Sequence, residues 1–482
     1  MIDKNKYELV IGLEVHAQLM TKSKLFCGDS TLFGSSPNTH TSTISLAHPG
    51  TLPKMNKKAI ELAVKLGLAL HCEIEQYNYF ARKNYFYPDL PKGYQISQHT
   101  APICKGGFVK IKSKNGEKDI LLNRIHIEED AGKSIHDIDE NYSCIDLNRA
   151  GVPLVEIVTE PVIHSAEDAY IFLTELRKLL RWLDVCDGNM EEGSMRCDAN
   201  ISIRLKGDLK LGKRVEVKNL NSIRNVKKAI ELEFDRLISI TENGDVIVQE
   251  TRSYDADKNT TFSLRSKEDA DDYRYFPEPD LAPFIISQEV INNINNTLPE
   301  LPEQLIERYI TQYQFSDYDA QLICSDKDEV HYFEELIKYT QHYKAVANWI
   351  IGPLKYYCNE KNISIIDFPL SHVLIAELIN LTETNQINFN NASGKILQYL
   401  ITNSNQTALE ASTALNLVQE NNEDHLSKWV EEVLTAMPDK VTEYKAGKKG
   451  VIGLFAGEIK KRSKGKADMS LVTQLLNARL NQ

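Results

Sequence analysis

The sequence lacks several features, and each absence excludes a class of protein. No apolar run approaches the ~18 residues of a membrane span, so we expect no transmembrane helix and no membrane partner. The N-terminal residues form neither a secretory signal nor an Arg- and Ser-rich transit peptide, which predicts a cytoplasmic, bacterial protein. The eight cysteines are scattered without a C-x-x-C pair, which argues against a disulfide scaffold and a zinc ribbon.

The common catalytic and nucleotide-binding motifs are also missing. The sequence contains no G-x-S-x-G, H-E-x-x-H or G-x-G-x-x-G. The run Gly132-Lys133-Ser134 is similar to the end of a P-loop, but the first glycine of that motif would fall on Ile127. No cysteine lies in a local setting typical of a nucleophile, so we interpret the cysteines as small buried apolar residues.

Charge is unevenly distributed along the chain. The 482 residues carry 56 Lys and Arg against 68 Asp and Glu, a net charge of −12, which argues against a DNA-binding or generally polyanion-binding surface. Residues 439–468 nevertheless hold nine basic side chains against four acidic ones. This basic segment favours a local contact with a polyanion, although a solvated helical face fits the same charge pattern.

The length of the chain predicts two to four domains. Its predicted secondary structure changes near residue 285, from mixed strands and helices to helices only. Before that point, alternating segments predict strands at 10–19, 124–128, 154–158, 196–204 and 214–218, and helices are predicted at 57–70, 166–183 and 222–241. After it only helices are expected, including 302–314 and 328–343, and glycines 447, 450, 453 and 457 should interrupt any long helix. We therefore expect an α+β domain at 1–290 and two all-helical domains at 291–370 and 371–482.

The predicted strands carry an unusual polar face. Alternate side chains of a strand share a face, which groups Glu14 with His16, Glu128 with Arg124, and Asp198 with Arg196 and Arg204. Glu156 lies inside an apolar strand, where a carboxylate is costly unless it is paired or binds a metal. A solvated face of an antiparallel sheet explains each strand alone. Together the strands indicate a site for a divalent cation, Mg²⁺ or Mn²⁺, with Arg and Lys side chains suited to phosphate.

The aromatic run at 77–87, YNYFARKNYFY, has two interpretations. Its rings could stack on nucleic-acid bases beside Arg82 and Lys83. Ordinary packing in a core is the more economical interpretation of such a run.

Long segments of the sequence resemble one known family. They are VIGLEVHAQL (10–19), RKNYFYPDLPKGYQISQ (82–98), RIHIEEDAGKS (124–134), DLNRAGVPLVEIVTEP (146–161), MEEGSMRCDANISIR (190–204), VEVKNLNS (215–222), QETRSYD (249–255) and DDYRYFPEPDLAP (271–283). The chain resembles the B subunits of the glutamine-dependent Asp/Glu-tRNA amidotransferases, which are A–B–C heterotrimers with an amidase (A) and a small (C) partner. The resemblance runs essentially from end to end.

The resemblance implies a reaction, partners and a fold. The B subunits transfer the γ-phosphate of ATP to the side-chain carboxylate of Glu-tRNA(Gln) or Asp-tRNA(Asn). Ammonia released from glutamine by the amidase partner then displaces that phosphate. The family's α+β domain is a cradle of antiparallel strands and is likened to glutamine synthetase. The basic helical tail of this chain is similar to a small helical domain that contacts tRNA.

The resemblance also implies site residues, with ATP and Mg²⁺ (or Mn²⁺) as cofactors. The implied metal ligands are Glu14, His16, Glu128, Glu129, Glu156 and Asp198. Since strict alternation points Glu129 away from Glu128, we expect a β-bulge there. Catalytic candidates are Lys83, Lys133 and Arg124; ATP-contact candidates are Arg196, Arg204, Lys218 and Arg274; tRNA-contact candidates are Lys448, Lys449, Lys460, Lys461, Arg462 and Lys464. The alternative hypothesis is a tRNA-binding scaffold without chemistry of its own.

Overall fold

The computed structural model describes residues 4–114, 116–136, 138–266, 273–420, 422–463 and 465–481. The chain divides into two compact units, residues 1–301 and residues 302–482. The first unit is α+β and the second is helical. No helix in the described ranges is long and apolar enough to cross a membrane.

The first unit alternates short and long strands with four helices among its described residues. The helices are Lys57–Ala69 (α1), Ala166–Trp182 (α2), Ile223–Glu242 (α3) and Gln288–Asn295 (α4). The strands are Tyr7–Gln18 (β1), Glu73–Ile74 (β2), Tyr77–Asn78 (β3), Ala81–Asn84 (β4), Tyr94–Ser97 (β5), Cys104–Lys105 (β6), Phe108–Ser113 (β7), Gly116–Glu129 (β8), Lys133–Ile135 (β9), Cys144–Asp146 (β10), Pro153–Thr159 (β11), Met195–Leu205 (β12), Val215–Leu220 (β13), Glu250–Asp255 (β14), Thr260–Ser266 (β15), Phe276–Pro277 (β16) and Phe284–Ile285 (β17).

Ten of these strands form one large mixed sheet. Its order is β15-β14-β13-β12-β1-β11-β8-β6-β2, and β7 also pairs with β8. The neighbours are antiparallel except β13 and β14, which run parallel. The expectation of a purely antiparallel sheet is therefore wrong at this pair, because α3 returns the chain between β13 and β14 as a crossover connection.

One face of the large sheet is buried against helices. Leu13, Val15 and Ile157 are fully buried in the core of this unit, together with Phe172 of α2 and Ala229 of α3. Because strand side chains alternate, burying this face directs Glu14, His16 and Glu156 to the other one. The hydrophobic pattern of the strands thus fixes which side chains are available for a site.

Small sheets extend the first unit beyond the large one. They are β16-β4-β5, β17-β3 and β10-β9. Strands β16 and β17 bracket the Pro-rich segment 277–283, which lies within this unit: Glu278 is buried and accepts two hydrogen bonds from Arg82, at 2.7 and 2.8 Å. Its prolines fit edge positions, where a missing N–H is tolerated.

The second unit is built from helices within its described residues. They are Pro302–Tyr313 (α5), Asp317–Ile323 (α6), Lys327–Leu336 (α7), Tyr343–Trp349 (α8), Lys355–Lys361 (α9), His372–Glu383 (α10), Phe389–Asn391 (α11), Leu397–Thr402 (α12), Ala408–Ala414 (α13), Glu423–Ala436 (α14), Pro438–Lys445 (α15), Ile452–Arg462 (α16) and Met469–Leu480 (α17). Single π-type turns follow α8 and α11. Helices α14 to α17 share a core around Val430, Phe455 and Leu476.

Several local expectations differ from the structure. The helix expected at 328–343 ends at Leu336, and a new helix begins at Tyr343. The helix predicted at 222–241 begins at Ile223, because Ser222 is its N-cap and its hydroxyl accepts from the Asn225 N–H. Glycines 453 and 457 do not interrupt α16, because tertiary packing of Phe455 and Ile459 outweighs the helix cost of about 1 kcal/mol per glycine.

Candidate metal and substrate site

Four neighbouring strands place polar side chains in one row across the open face of the large sheet. His126 of β8 lies opposite Glu156 of β11, Glu156 lies opposite His16 of β1, and His16 lies opposite Arg196 of β12. The next row places Glu14 opposite Asp198. The register of the sheet therefore gathers side chains that are far apart in sequence.

The first cluster joins His16, Glu128 and Glu156. The Nε2 atom of His16 lies 3.5 Å from Oε2 of Glu156 and 3.8 Å from Oε1 of Glu128. The three ligand atoms all lie within 4.8 Å of one another. Glu128 and Glu156 are almost completely buried, so their charges must be compensated locally.

His126 provides much of that compensation. Its Nε2 atom lies 3.3 Å from Oε2 of Glu156 and 3.5 Å from Oε2 of Glu128. Burial disfavours the charged imidazole, but Glu156 and Glu128 outweigh burial and raise the pKa of His126 to about 9. Burial likewise opposes the charge of Glu156, yet His126 and His16 hold the pKa of Glu156 well below its usual value. The cluster is thus two carboxylates flanked by two imidazoles.

Lys83 lies in the electrostatic field of the same carboxylates. It is on β4, its ammonium is 5.0 Å from the ring centroid of Tyr273, and burial favours its neutral form. Glu128 and Glu156 nevertheless raise the pKa of Lys83, which keeps it a cation. A half-buried, charged lysine beside an acidic cluster suits the stabilisation of a transferred phosphoryl group.

The second cluster joins Glu14, Asp198 and Glu216 on strands β1, β12 and β13. Their carboxylate oxygens also lie within 4.8 Å of one another. Desolvation and the neighbouring carboxylates raise the pKa of Glu14. Lys218 donates to Asp198 at 2.8 Å and lies 3.1 Å from Glu216, and these two carboxylates raise the pKa of Lys218 against the opposing effect of burial.

Both clusters fit a hard divalent cation. Carboxylates with one imidazole in the first cluster, and three carboxylates in the second, are the donors that Mg²⁺ and Mn²⁺ take in proteins. Burial first, and then the neighbouring carboxylates, raise the pKa of Glu14, and a cation bound beside it would favour its charged form. The residues present therefore suit the metal that the sequence predicted.

Two arginines border the first cluster. Arg196 donates to Asp130 at 2.9 Å, and Gln18 donates to the other oxygen of Asp130 at 2.8 Å. The Nε atom of Arg124 is buried and has no hydrogen-bond partner among the described residues. Leaving a buried guanidinium N–H unsatisfied costs free energy.

Glu129 does not follow the expectation of a β-bulge. The ladder between β8 and β11 continues regularly through Glu129 opposite Pro153 and Glu128 opposite Leu154, and its irregularity falls instead at Val158/Thr159. The carboxylate of Glu129 accepts from Lys92 at 2.5 Å and from the Ile96 N–H at 2.8 Å. Strict alternation thus holds, and Glu129 joins neither Glu128 nor Asp198.

Three further candidates lie outside the two clusters. Arg204 pairs with Glu8, six residues along β12 from Asp198. Lys133 is exposed on β9, in the two-stranded sheet. Arg274 is exposed, with a left-handed backbone at φ 46°, and its carbonyl accepts from the side chain of Asn84 at 2.8 Å.

The basic candidates of the second unit lie on an exposed surface. Lys448 is exposed 3.4 Å from Glu443, and the ammonium of Lys449 lies 4.0 Å from the ring centroid of Tyr444. Lys460, Lys461 and Arg462 form the last turn of α16, where cations complement the helix dipole. Lys464 lies outside the described residues.

Sequence reasoning missed two members of the clusters. His126 lies on the predicted polar face, but nothing in the sequence distinguishes it from a solvated residue. Glu216 can be assigned to a cluster only once β13 is known to neighbour β12, with Asn200 opposite Glu216. The sequence did offer one signal for both residues. Each lies two positions from a predicted site residue and therefore on the same strand face: His126 beside Glu128, and Glu216 beside Lys218.

Comparison with known families defines the class first. A family model described as the GatB/GatE catalytic domain matches residues 9–292, which contain both clusters. A second model, the GatB domain, matches residues 331–480.

Curated relatives then narrow the class. A protein of Thermodesulfovibrio yellowstonii is 46% identical over 471 residues, 98% of each chain, and one of Rickettsia bellii is 46% identical over 482 residues, 99% of this chain and 98% of that protein. A protein of Persephonella marina is 46% identical over 98% of this chain and 99% of its own. All three are named as the B subunit of aspartyl/glutamyl-tRNA(Asn/Gln) amidotransferase. The chain belongs to this family.

Proposed function

We propose that the chain is the activating and transamidating subunit of a glutamine-dependent Asp/Glu-tRNA amidotransferase. In this role it works with the amidase and small subunits of the heterotrimer. It transfers the γ-phosphate of ATP to the side-chain carboxylate of glutamate on tRNA(Gln), aspartate on tRNA(Asn), or both. Ammonia from glutamine hydrolysed by the amidase partner then displaces the phosphate. The products are the correctly amidated aminoacyl-tRNAs.

The observation that carries this proposal is the pair of acidic clusters on one sheet face. In transferring a phosphoryl group to a carboxylate, an enzyme must neutralise charge on the nucleophile and on the phosphate oxygens. We propose that His16, Glu128 and Glu156 hold one Mg²⁺ or Mn²⁺ ion and that Glu14, Asp198 and Glu216 hold another. When bound, these ions supply charge neutralisation and orient phosphate oxygens.

The chain's own cations complete the proposed mechanism. Lys83, charged because of Glu128 and Glu156, is suited to hold the carboxylate or the developing acyl phosphate. Arg124 offers its unpartnered Nε–H, and Arg196 and Lys218 offer guanidinium and ammonium groups beside the clusters. No nucleophilic side chain is required, because the substrate carboxylate itself attacks phosphorus.

The helical part of the chain has a separate proposed role. The exposed cations Lys448, Lys449, Lys460, Lys461 and Arg462 are proposed to contact the tRNA backbone. We keep the proposal of two helical domains, 291–370 and 371–482, although residues 291–301 pack with the first unit. The tRNA-binding scaffold without chemistry remains a weaker candidate. A surface that only binds tRNA has no physical reason to gather buried carboxylates.

Phosphate release without glutamine tests the proposal. The chain is assembled with its amidase and small partners, and release from γ-labelled ATP is followed with Mg²⁺ and Glu-tRNA(Gln) or uncharged tRNA(Gln). We expect release to require the aminoacyl group and to fall at least 100-fold in Glu156→Gln, with tRNA binding unchanged. The matched control is Glu160→Gln. Glu160 lies just beyond the end of β11, and its carboxylate accepts a hydrogen bond from the exposed Asn123. Release that is unchanged in Glu156→Gln would contradict the proposal and favour the scaffold.

A further inference from the structure

The aromatic run at 77–87 divides into a buried part and an exposed part. Phe80 is in the core with 1% of its surface exposed, whereas Phe86 and Tyr87 expose 88% and 56%. Two neighbouring rings that face solvent in a loop are energetically costly. They lie two and three residues beyond the end of strand β4, which carries Lys83.

The exposed rings follow Lys83 closely in the chain. Phe86 is three positions after Lys83, so their Cα atoms are at most ~11 Å apart. Tyr85, between them, is half-buried, and burial and the charge of Glu128 both raise its pKa. The exposed rings therefore follow, within a few residues of chain, a lysine that lies in the electrostatic field of Glu128 and Glu156.

Two exposed cations lie on segments that are hydrogen-bonded to the ends of the same loop. The N–H of Gly132 donates to the carbonyl of Asp89 at 2.8 Å, and the exposed Lys133 is the next residue. Asn84 donates to the carbonyls of Tyr273 and Arg274, at 2.9 and 2.8 Å, and Arg274 is exposed. Aromatic rings flanked by cations are the combination that binds single-stranded nucleic acid.

We propose that Phe86 and Tyr87, flanked by Lys133 and Arg274, bind the single-stranded 3′ end of the tRNA, with its terminal base stacked on Phe86. This inference rests on the proposed function, which requires the esterified amino acid to reach Glu128 and Glu156. It also gives a role to Lys133 and Arg274, which lie outside the two acidic clusters: they would contact the phosphates of the 3′ end.

A binding cycle on the assembled heterotrimer tests the inference. Equilibrium dissociation constants are measured for uncharged tRNA(Gln) with and without its 3′-terminal adenosine, without ATP or glutamine. Phe86→Ala should weaken binding of intact tRNA about 5- to 100-fold, the range for loss of one stacked base, and should not further weaken binding of the truncated tRNA. Phe86→Trp, which keeps a stacking ring, should bind as the parent does.

The control variant is Phe33→Ala, which removes another largely exposed phenylalanine, 71% exposed, from a different loop. It should leave both dissociation constants unchanged. An equal loss for intact and truncated tRNA, no loss for either, or failure of Phe86→Ala to assemble with its two partners would overturn the inference. The last outcome would make Phe86 part of a protein interface. Because the cycle involves no chemistry, its failure is distinct from that of the phosphate-release experiment.

Discussion

At the scale of single residues, the site is a balance of buried charges. Glu128 and Glu156 are held as carboxylates by His16 and His126 on one side and by Lys83 on the other. His126 differs from His16 because its Nδ1 atom is buried with no hydrogen-bond partner among the described residues. Its Nε2 atom faces both Glu128 and Glu156, and we expect this nitrogen to fix the spacing of the two carboxylates.

Replacing His126 should weaken metal binding more than it weakens the fold. In His126→Leu the donor that holds Glu128 and Glu156 at a fixed spacing is lost, so their oxygens are less well placed and the Mn²⁺ dissociation constant of the first cluster should rise about 10- to 100-fold, as for other residues that orient ligands. His126→Gln, which keeps a donor, should recover part of the loss. Mn²⁺ titration by electron paramagnetic resonance on the assembled complex measures both. Identical affinities in all three proteins would contradict the positioning role.

At the scale of elements, close contact between helix α1 and strand β6 constrains one glycine. A Cβ atom on Gly67 would lie 2.3 Å from Sγ of Cys104 and 2.9 Å from Ile74 Cδ1. Cys104 is completely buried, so its sulfur has little room to move. The gain of about 1 kcal/mol in helix propensity on changing Gly to Ala is therefore opposed by overpacking in the core.

Gly67→Ala should accordingly lower the free energy of unfolding, by about 1–2 kcal/mol net, because overpacking exceeds the propensity gain. The double variant Gly67→Ala/Cys104→Ala removes the clashing sulfur and should be more stable than Gly67→Ala alone. Urea denaturation followed by circular dichroism measures both. Strict additivity of the two changes would show that the contact between α1 and β6 is not the cause.

The sequence predicted the positions of helices and strands better than it predicted which strands are adjacent in the sheet. The strands predicted at 10–19, 124–128, 154–158 and 196–204 correspond to β1, β8, β11 and β12, and the helices predicted at 57–70 and 166–183 correspond to α1 and α2. The clusters needed strand order and register, which depend on contacts between distant segments. Glu129 shows the limit: the resemblance suggested an inward side chain, whereas the regular ladder places it on Lys92. Likewise, α3 begins at Ile223 rather than at the predicted residue 222, a difference of one residue that propensity does not resolve.

At the scale of the whole molecule, charge is unevenly distributed: the net charge is −12, but residues 439–468 carry a surplus of basic side chains. If the proposed tRNA contact lies there, its attraction acts locally, within about a Debye length of the surface.

The local attraction predicts a measurable salt dependence. Changing both Lys460 and Lys461 to Gln should weaken tRNA binding by the assembled complex and reduce the slope of log K against log salt concentration by about 1–2. The same pair of changes at the exposed Lys57 and Lys58 of α1 is the control and should leave the slope unchanged. Fluorescence anisotropy at several salt concentrations gives the slopes. Equal slopes for the parent and the α16 variant would place the tRNA contact elsewhere.

The register across β8, β11, β1 and β12 has a consequence for folding. The first cluster joins residues 16, 128 and 156, so no fragment with only local contacts can assemble the metal site proposed there. Such pairing between distant segments forms slowly. A divalent ion added during refolding would therefore bind with high affinity only after the central strands have aligned. The time course of metal binding during refolding would then report when the central strands of the sheet have formed.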